Sequence, residues 1–272
     1  MSMGDWVLRN LTAVPGVRGL WVRFPLGSVP LRVRYGAWTR PHYAFGVYHA
    51  ADLARKLGLT SISVIEFGVA GGRGLVALEG IAARVSDALK IGITVVGFDA
   101  GSGMPAAEDY RDLPHVWGPG FYKMDFAALR KQLSPSTQLL IGDVSVTIPQ
   151  FLSSDHAPVG FVAFDLDYYS STMKAFKVFD TEKLLPRVYC YFDDILWPET
   201  ACHNEYVGEL CAIREFNSSH DCQKLCPIHL LRHMRVHPAP WNDQMYVLHG
   251  FKHPLYAVNI TPQGTEYTQQ PL

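Results

Sequence analysis

The chain has 272 residues, 48% of them apolar, enough to fill the core of one large α/β domain. With 24 basic residues against 25 acidic ones, the charge is balanced; this argues against nucleic acid as a partner and for small ligands. The first thirty residues hold neither the apolar stretch of a signal peptide nor a span of about 20 apolar residues, so the sequence reads as that of a cytoplasmic protein with no membrane contact.

Residues 1–55 are rich in Arg, Pro and aromatics up to Pro41 and then turn helical through YHAADLARKLG. They read as a cap laid on a second unit, 56–272. In that unit short apolar runs alternate with helical stretches: 61–68, 93–99, 137–143, 159–167 and 187–194. Such alternation predicts a doubly wound, mostly parallel sheet. Between the first two runs, Leu75, Leu78, Ala82 and Val85 recur at helical spacing, which puts them on one face packed against the sheet. A loop with Pro105, Pro114 and Pro119 follows the second run. After the fifth run, 205–217 reads as a helix, and 226–231 and 244–251 as an antiparallel edge, which brings the sheet to seven strands.

The first crossover is glycine-rich. Glu66, Gly68, Ala70, Gly71, Gly72 and Gly74 stand between a buried strand and a helix, where glycines allow a tight turn and a ligand can approach the backbone. The dinucleotide fingerprint G-x-G-x-x-G fails from Gly68 and passes from Gly72 only with Ala77 in the last position, well past the strand. Glu66 ends its strand and Asp99 closes the second run, both placed to accept hydrogen bonds from ribose hydroxyls.

Two acidic clusters end the later strands: Asp165 and Asp167 in FVAFDLDYYSST, Asp193 and Asp194 in VYCYFDDIL. Like charges held close are unfavourable unless a cation neutralises them or some are protonated, and hard oxygen donors suit Mg2+. A second candidate cluster, Cys222, Cys226, His229 and His233, has zinc-like residue types but lacks the long loop that folds two ligand pairs onto one ion. The plainer reading makes CPIHLLRHMRVH a late strand with histidines on its polar face. The odd, back-loaded set of five cysteines argues for free thiols.

Taken together, the E-x-G-x-A-x-G loop, the FDAGSGMP segment and the acidic strand ends resemble class I S-adenosylmethionine-dependent methyltransferases. The likeness is nearest to the metal-dependent macrocin-type sugar O-methyltransferases, with Asp99 to Pro105, Asp165 to Thr172, Asp193-Asp194 and Ala212 to Phe216 matching that group's motifs over roughly residues 60–217. Ala70 departs from the glycine that many methyltransferases carry. The resemblance implies a Rossmann-like fold and a Mg2+-dependent transfer of methyl to a hydroxyl of a sugar or glycosylated natural product. The Asp165-to-Asp193 spacing also resembles catechol- or phenol-type O-methyltransferases, although those continue with Asn where Asp194 stands. An NAD-dependent oxidoreductase is the remaining enzyme reading, and the broken fingerprint counts against it.

By resemblance, Glu66, Gly68, Gly72, Asp99 and Ser102 hold the amino-acid and ribose portions of S-adenosylmethionine. Asp143 would sit near the adenine, with a helix N-cap as its alternative role. Asp165, Asp193 and Asp194 are the expected Mg2+ ligands. Asp167 is the expected base, because residues two apart on a strand share a face, a parity that lapses if the strand has already ended. His115, in the aromatic loop 115–122, is the rival base or else a surface histidine. Tyr43 and Tyr48 either reach the ligand or pack. The expected partner is a small hydroxyl-bearing acceptor; the sequence leaves open whether the chain forms a homo-oligomer.

Overall fold

A computed structural model describes residues 3–196 and 204–261. The chain begins with α1 (Met3–Ala13), α2 (Val17–Arg23), α3 (Val29–Tyr35) and a longer helix, α4 (Pro41–Lys56). Strands and helices then alternate through β1 (Ser61–Phe67), α5 (Arg73–Leu89), β2 (Gly92–Asp99), α6 (Phe126–Arg130), β3 (Gln138–Ile141), α7 (Val144–Ser153), β4 (Val159–Phe164) and α8 (Tyr169–Ala175). The last elements are β5 (Leu184–Phe192), α9 (Gly208–Ser219), β6 (Gln223–Pro227), α10 (Leu231–Met234) and β7 (Met245–Gly250).

These strands form one seven-stranded sheet in the order β3-β2-β1-β4-β5-β7-β6. Strands β1 to β5 pair in parallel, while β7 runs antiparallel between β5 and β6. The doubly wound, mostly parallel sheet and its antiparallel edge are therefore as expected. Every residue of β4, and every residue of β1 after Ser61, is buried, which is why both read as unbroken apolar runs. The strand order reverses between β1 and β4, and at such a switch the carboxyl ends of the strands open a crevice.

Two packing features fix what lies above that crevice floor. Phe98, Phe67, Phe164 and Phe192 occupy one register row across β2, β1, β4 and β5, with successive ring centroids 4.7, 5.5 and 4.8 Å apart and the planes stacked. Helix α4 lies directly on the sheet: a side chain at Gly46 would run into the Phe161 ring. Tyr43, Val47, Ala50, Ala51 and Ala54 are buried beneath it. On α5, the predicted stripe of Leu75, Leu78, Ala82 and Val85 is buried as well.

The late strand is shorter than the sequence suggested. Strand β6 ends at Pro227, which has no N–H with which to extend the ladder, and Leu230 turns left-handed (φ 60°) ahead of α10. His229 and His233 thus lie exposed in a turn and a short helix, not on the polar face of a strand. Cys190, Cys211, Cys222 and Cys226 are free thiols; Cys202 lies outside the described residues. No helix among the described residues is long and apolar enough to cross a membrane.

Candidate functional site

At the carboxyl ends of β1, β2 and β4, and against the β5 terminus, lies a cleft of about 710 Å³, within the usual range of about 300–1,000 Å³ for small-molecule sites. Glu66, Gly68, Gly72, Asp99, Ser102, Asp143, Asp165, Asp167, Asp193 and Asp194 all line it. His115 does not: it is exposed on the 100–125 loop, which reaches the cleft through Met104, Pro105 and Tyr122 instead. That loop is pinned where Met104 N–H donates to the Phe121 carbonyl (2.9 Å) and Gly120 N–H to that of Met104 (2.8 Å).

The turn after β1 is forced by its neighbours. Gly68 has φ +82° and lies against the Asp165 main chain, where a Cβ would collide with the Asp165 carbonyl oxygen. Ala70, where many methyltransferases have glycine, is itself left-handed at φ 43°. Asp99 holds this turn, accepting from Ala70 N–H on Oδ2 (2.7 Å) and from Gly101 N–H on Oδ1 (2.6 Å). Asp143 is the N-cap of α7, accepting from Ser145 N–H at 2.7 Å, which keeps its carboxyl below the usual range. It combines the capping role with a place in the cleft wall. Glu66 is buried, and burial pushes its carboxyl up to about 7 despite a 2.7 Å hydrogen bond from Tyr43 Oη to Oε1. Its Oε2 has no hydrogen-bond partner among the described residues.

The acidic strand ends converge. Asp165, Asp193 and Asp194 each offer an oxygen within 4.8 Å of the others, and no other group of this kind exists among the described residues. The zinc-like residues Cys222, Cys226, His229 and His233 accordingly do not come together. Burial, then the charges of Asp194 and Asp193, raises Asp165 well above the carboxylate range. Burial, then Asp167 and Asp193, does the same to Asp194. Asp193 Oδ1 accepts from the Tyr191 hydroxyl at 2.5 Å. Asp167 reaches the cluster by a different route from the one sequence parity implied. Strand β4 stops at Phe164, and Asp167 takes φ +58° in the following loop, with its N–H donating to Asp194 Oδ2 at 2.8 Å. Burial first, and Asp165 second, push its carboxyl up to about 7.

Two residues of this site, Glu209 and Arg40, lay outside the expected set, and Tyr43, expected either to reach the ligand or to pack, belongs to it through Glu66. Glu209, in the first turn of α9, is fully buried and accepts from Asp194 N–H on Oε2 (3.1 Å), so it fixes the Asp194 backbone. Arg40, at the N-cap of α4, lines the cleft. Tyr43, one turn further, reaches Glu66 while Tyr48 packs against the core. A Glu opening a helix just after the acidic strand was the available signal for Glu209. For Arg40 it was the Arg-Pro junction, since a residue before proline is driven to extended geometry and points off the helix.

No protein-family model and no curated protein sequence matches the chain. Among solved structures it is similar to the O-methyltransferase NovP at 16% identity, with a TM-score of 0.52 over 80% of this chain and 87% of that one. It is also similar to the calicheamicin methyltransferase CalS11 at 20% identity, with a TM-score of 0.48 over 80% of this chain and 86% of that one. The chain has the Rossmann-like fold of class I S-adenosylmethionine-dependent methyltransferases, as its sheet order and the likeness to NovP establish.

Proposed function

We propose that the protein is a Mg2+-dependent O-methyltransferase that moves the methyl group of S-adenosylmethionine to a hydroxyl of a sugar or glycosylated natural product, a small-molecule acceptor. The observation that carries this reading is one cleft in which a glycine turn meets three converging carboxylates. The O-methyltransferase activity of NovP supports the reaction class. The motif resemblance in the acidic strand ends supports the sugar acceptor. The division into an N-terminal cap (1–55) and a methyltransferase domain (56–272) belongs to the same proposal.

The donor set fits the metal. Asp165, Asp193 and Asp194 supply only hard oxygens, and their mutual repulsion inside a buried site is what a dication relieves. Mg2+ bound there supplies positive charge that makes an alcohol easier to deprotonate. S-adenosylmethionine supplies a methyl group already activated by its sulfonium. The chain contributes position and a proton acceptor. The turn from Gly68 to Gly72, held by Asp99, receives the cofactor, with Ser102 and Asp143 further along the wall. Asp167 accepts the hydroxyl proton: it is buried beside the three ligands, with its N–H held by Asp194 Oδ2. Tyr122 and the 100–125 loop exclude water from the reacting centre.

The test has two arms. Calorimetric titration with S-adenosylhomocysteine and with NAD should give binding only for the first. Release of S-adenosylhomocysteine from S-adenosylmethionine, measured over a panel of nucleotide sugars, glycosides and catechols, should need Mg2+ and be greatest with the sugars. Binding of NAD alone, or full turnover in EDTA, would overturn the reading.

A further inference from the structure

We propose that Arg40 binds the α-carboxylate of the cofactor's methionine portion, so that the start of α4 completes the cofactor site. The inference rests on the reading of the cleft as an S-adenosylmethionine site and adds to it a residue outside the resembling region.

The cleft is strongly acidic. Carboxylates from Glu66 on β1 round to Asp194 past β5 form its walls. An amino-acid zwitterion entering there carries its own carboxylate into a negative field and needs a cation to hold that end. Among the described residues, three cationic side chains line the cleft: Arg40, Arg73 and Lys174. Lys174 is already committed to Glu108 at 2.6 Å. Arg73 is exposed at the first position of α5. Arg40 is half-buried, and none of the ion pairs found among the described residues involves it.

Its position is fixed by structure on both sides. Pro41 follows it at the first position of α4, and its Cζ lies 5.1 Å from the centre of the Tyr43 ring, whose hydroxyl is tied to Glu66. Arg40 lines the cleft together with Glu66, Asp165 and Asp193, which stand at the ends of β1, β4 and β5. The methionine portion of a cofactor running from the glycine turn to the acidic cluster must cross that ground. A guanidinium offers a planar fork of N–H donors that matches a carboxylate, and a half-buried one without an ion-pair partner has those donors to give.

The experiment compares ligands that differ only at the amino-acid end. Binding of S-adenosylhomocysteine, of its decarboxylated form S-adenosyl-3-thiopropylamine and of methylthioadenosine is measured by calorimetry on the wild-type chain and on Arg40→Ala, Arg40→Lys and Arg73→Ala, with thermal melts as the control for folding. Arg40→Ala should weaken S-adenosylhomocysteine by about 10- to 100-fold, the usual loss for hydrogen bonds to a charged group. It should leave methylthioadenosine and the decarboxylated ligand, both without the carboxylate, unchanged. Arg40→Lys should fall between, and Arg73→Ala should bind like wild type. Equal weakening of all three ligands, no weakening of any, or a loss confined to Arg73→Ala would overturn the assignment. A wild-type chain that binds none of them would instead overturn the cofactor reading itself.

Discussion

The two halves of the cleft are built on opposite principles. On the β1–β2 side, polar groups satisfy each other within the chain: Asp99 takes two backbone N–H groups, Asp143 caps α7, and Glu66 accepts from Tyr43. On the β4–β5 side, Asp165, Asp167, Asp194 and Glu209 are packed together, all raised by burial and by one another. The first half is largely paired as folded, with Glu66 Oε2 left without a partner among the described residues. The second is an unfinished electrostatic structure, stable only with protons or a cation in it. Function and stability should therefore respond to different reagents on the two sides.

The largest expected effect is on the unfinished side. Removing Mg2+ with EDTA should abolish methyl transfer, and Asp193→Asn should mimic this with partial recovery at high Mg2+, because mass action refills a weakened site. S-adenosylhomocysteine binding should survive both treatments, as calorimetry would show; its loss would erase the distinction between the halves. Next, Asp167→Asn should lower kcat by about 10²–10⁴-fold, and added Mg2+ should not restore it. His115→Ala, outside the cleft, should leave kcat unchanged. A magnesium-rescued Asp167→Asn would make that residue a ligand.

The pH response follows from the raised carboxyls. Glu66 and Asp167 titrate near 7 in the folded protein against 4.5 and 3.8 ordinarily, so between about pH 4 and 7 the folded chain binds more protons than the unfolded one. Metal-free stability is therefore greatest at low pH within that window and falls as pH rises through it. Mg2+ competes with protons for the cluster, so its affinity should climb from pH 5 to 7.5 and its stabilising effect on the melting temperature should climb in parallel. A melting temperature independent of pH without metal would contradict the electrostatic picture.

The smallest effect belongs to the largely paired side. Ala70 sits at φ 43°, where an L-residue with a Cβ is strained by about 1–2 kcal/mol. Part of that is offset by the greater flexibility of glycine in the unfolded chain, so Ala70→Gly should stabilise the protein by about 0.5–1 kcal/mol in denaturant titrations while leaving Mg2+ affinity alone.

The sequence made the sheet legible because its strands are buried on both faces, and it made the acidic clusters legible because each ends an apolar run. What it hid came from conformation and distance along the chain. The parity placing Asp167 beside Asp165 failed because β4 stops at Phe164, and Asp167 comes back to the cluster only through a left-handed residue. Glu209 lies 15 positions past the Asp194 backbone it holds, and a glutamate opening a helix is ordinarily there for the helix dipole. Tyr43 lies 23 positions before Glu66, on a helix of the segment read as a cap on the sheet, and only the structure shows which of its aromatics reaches the cleft. The histidines after Pro227 were misplaced by extending an apolar run through a proline.

The row of stacked phenylalanines sets a ruler. Phe67 and Phe192 stand two strand spacings apart, and such spacings hold near 4.8 Å through the hydrogen-bond ladder. Glu66 precedes one end of that interval and Asp193 follows the other, so on the proposed reading the separation between the cofactor half and the metal half follows the sheet. The span of the proposed site is thus a property of the ladder beneath it, given by strand spacing before any loop is placed.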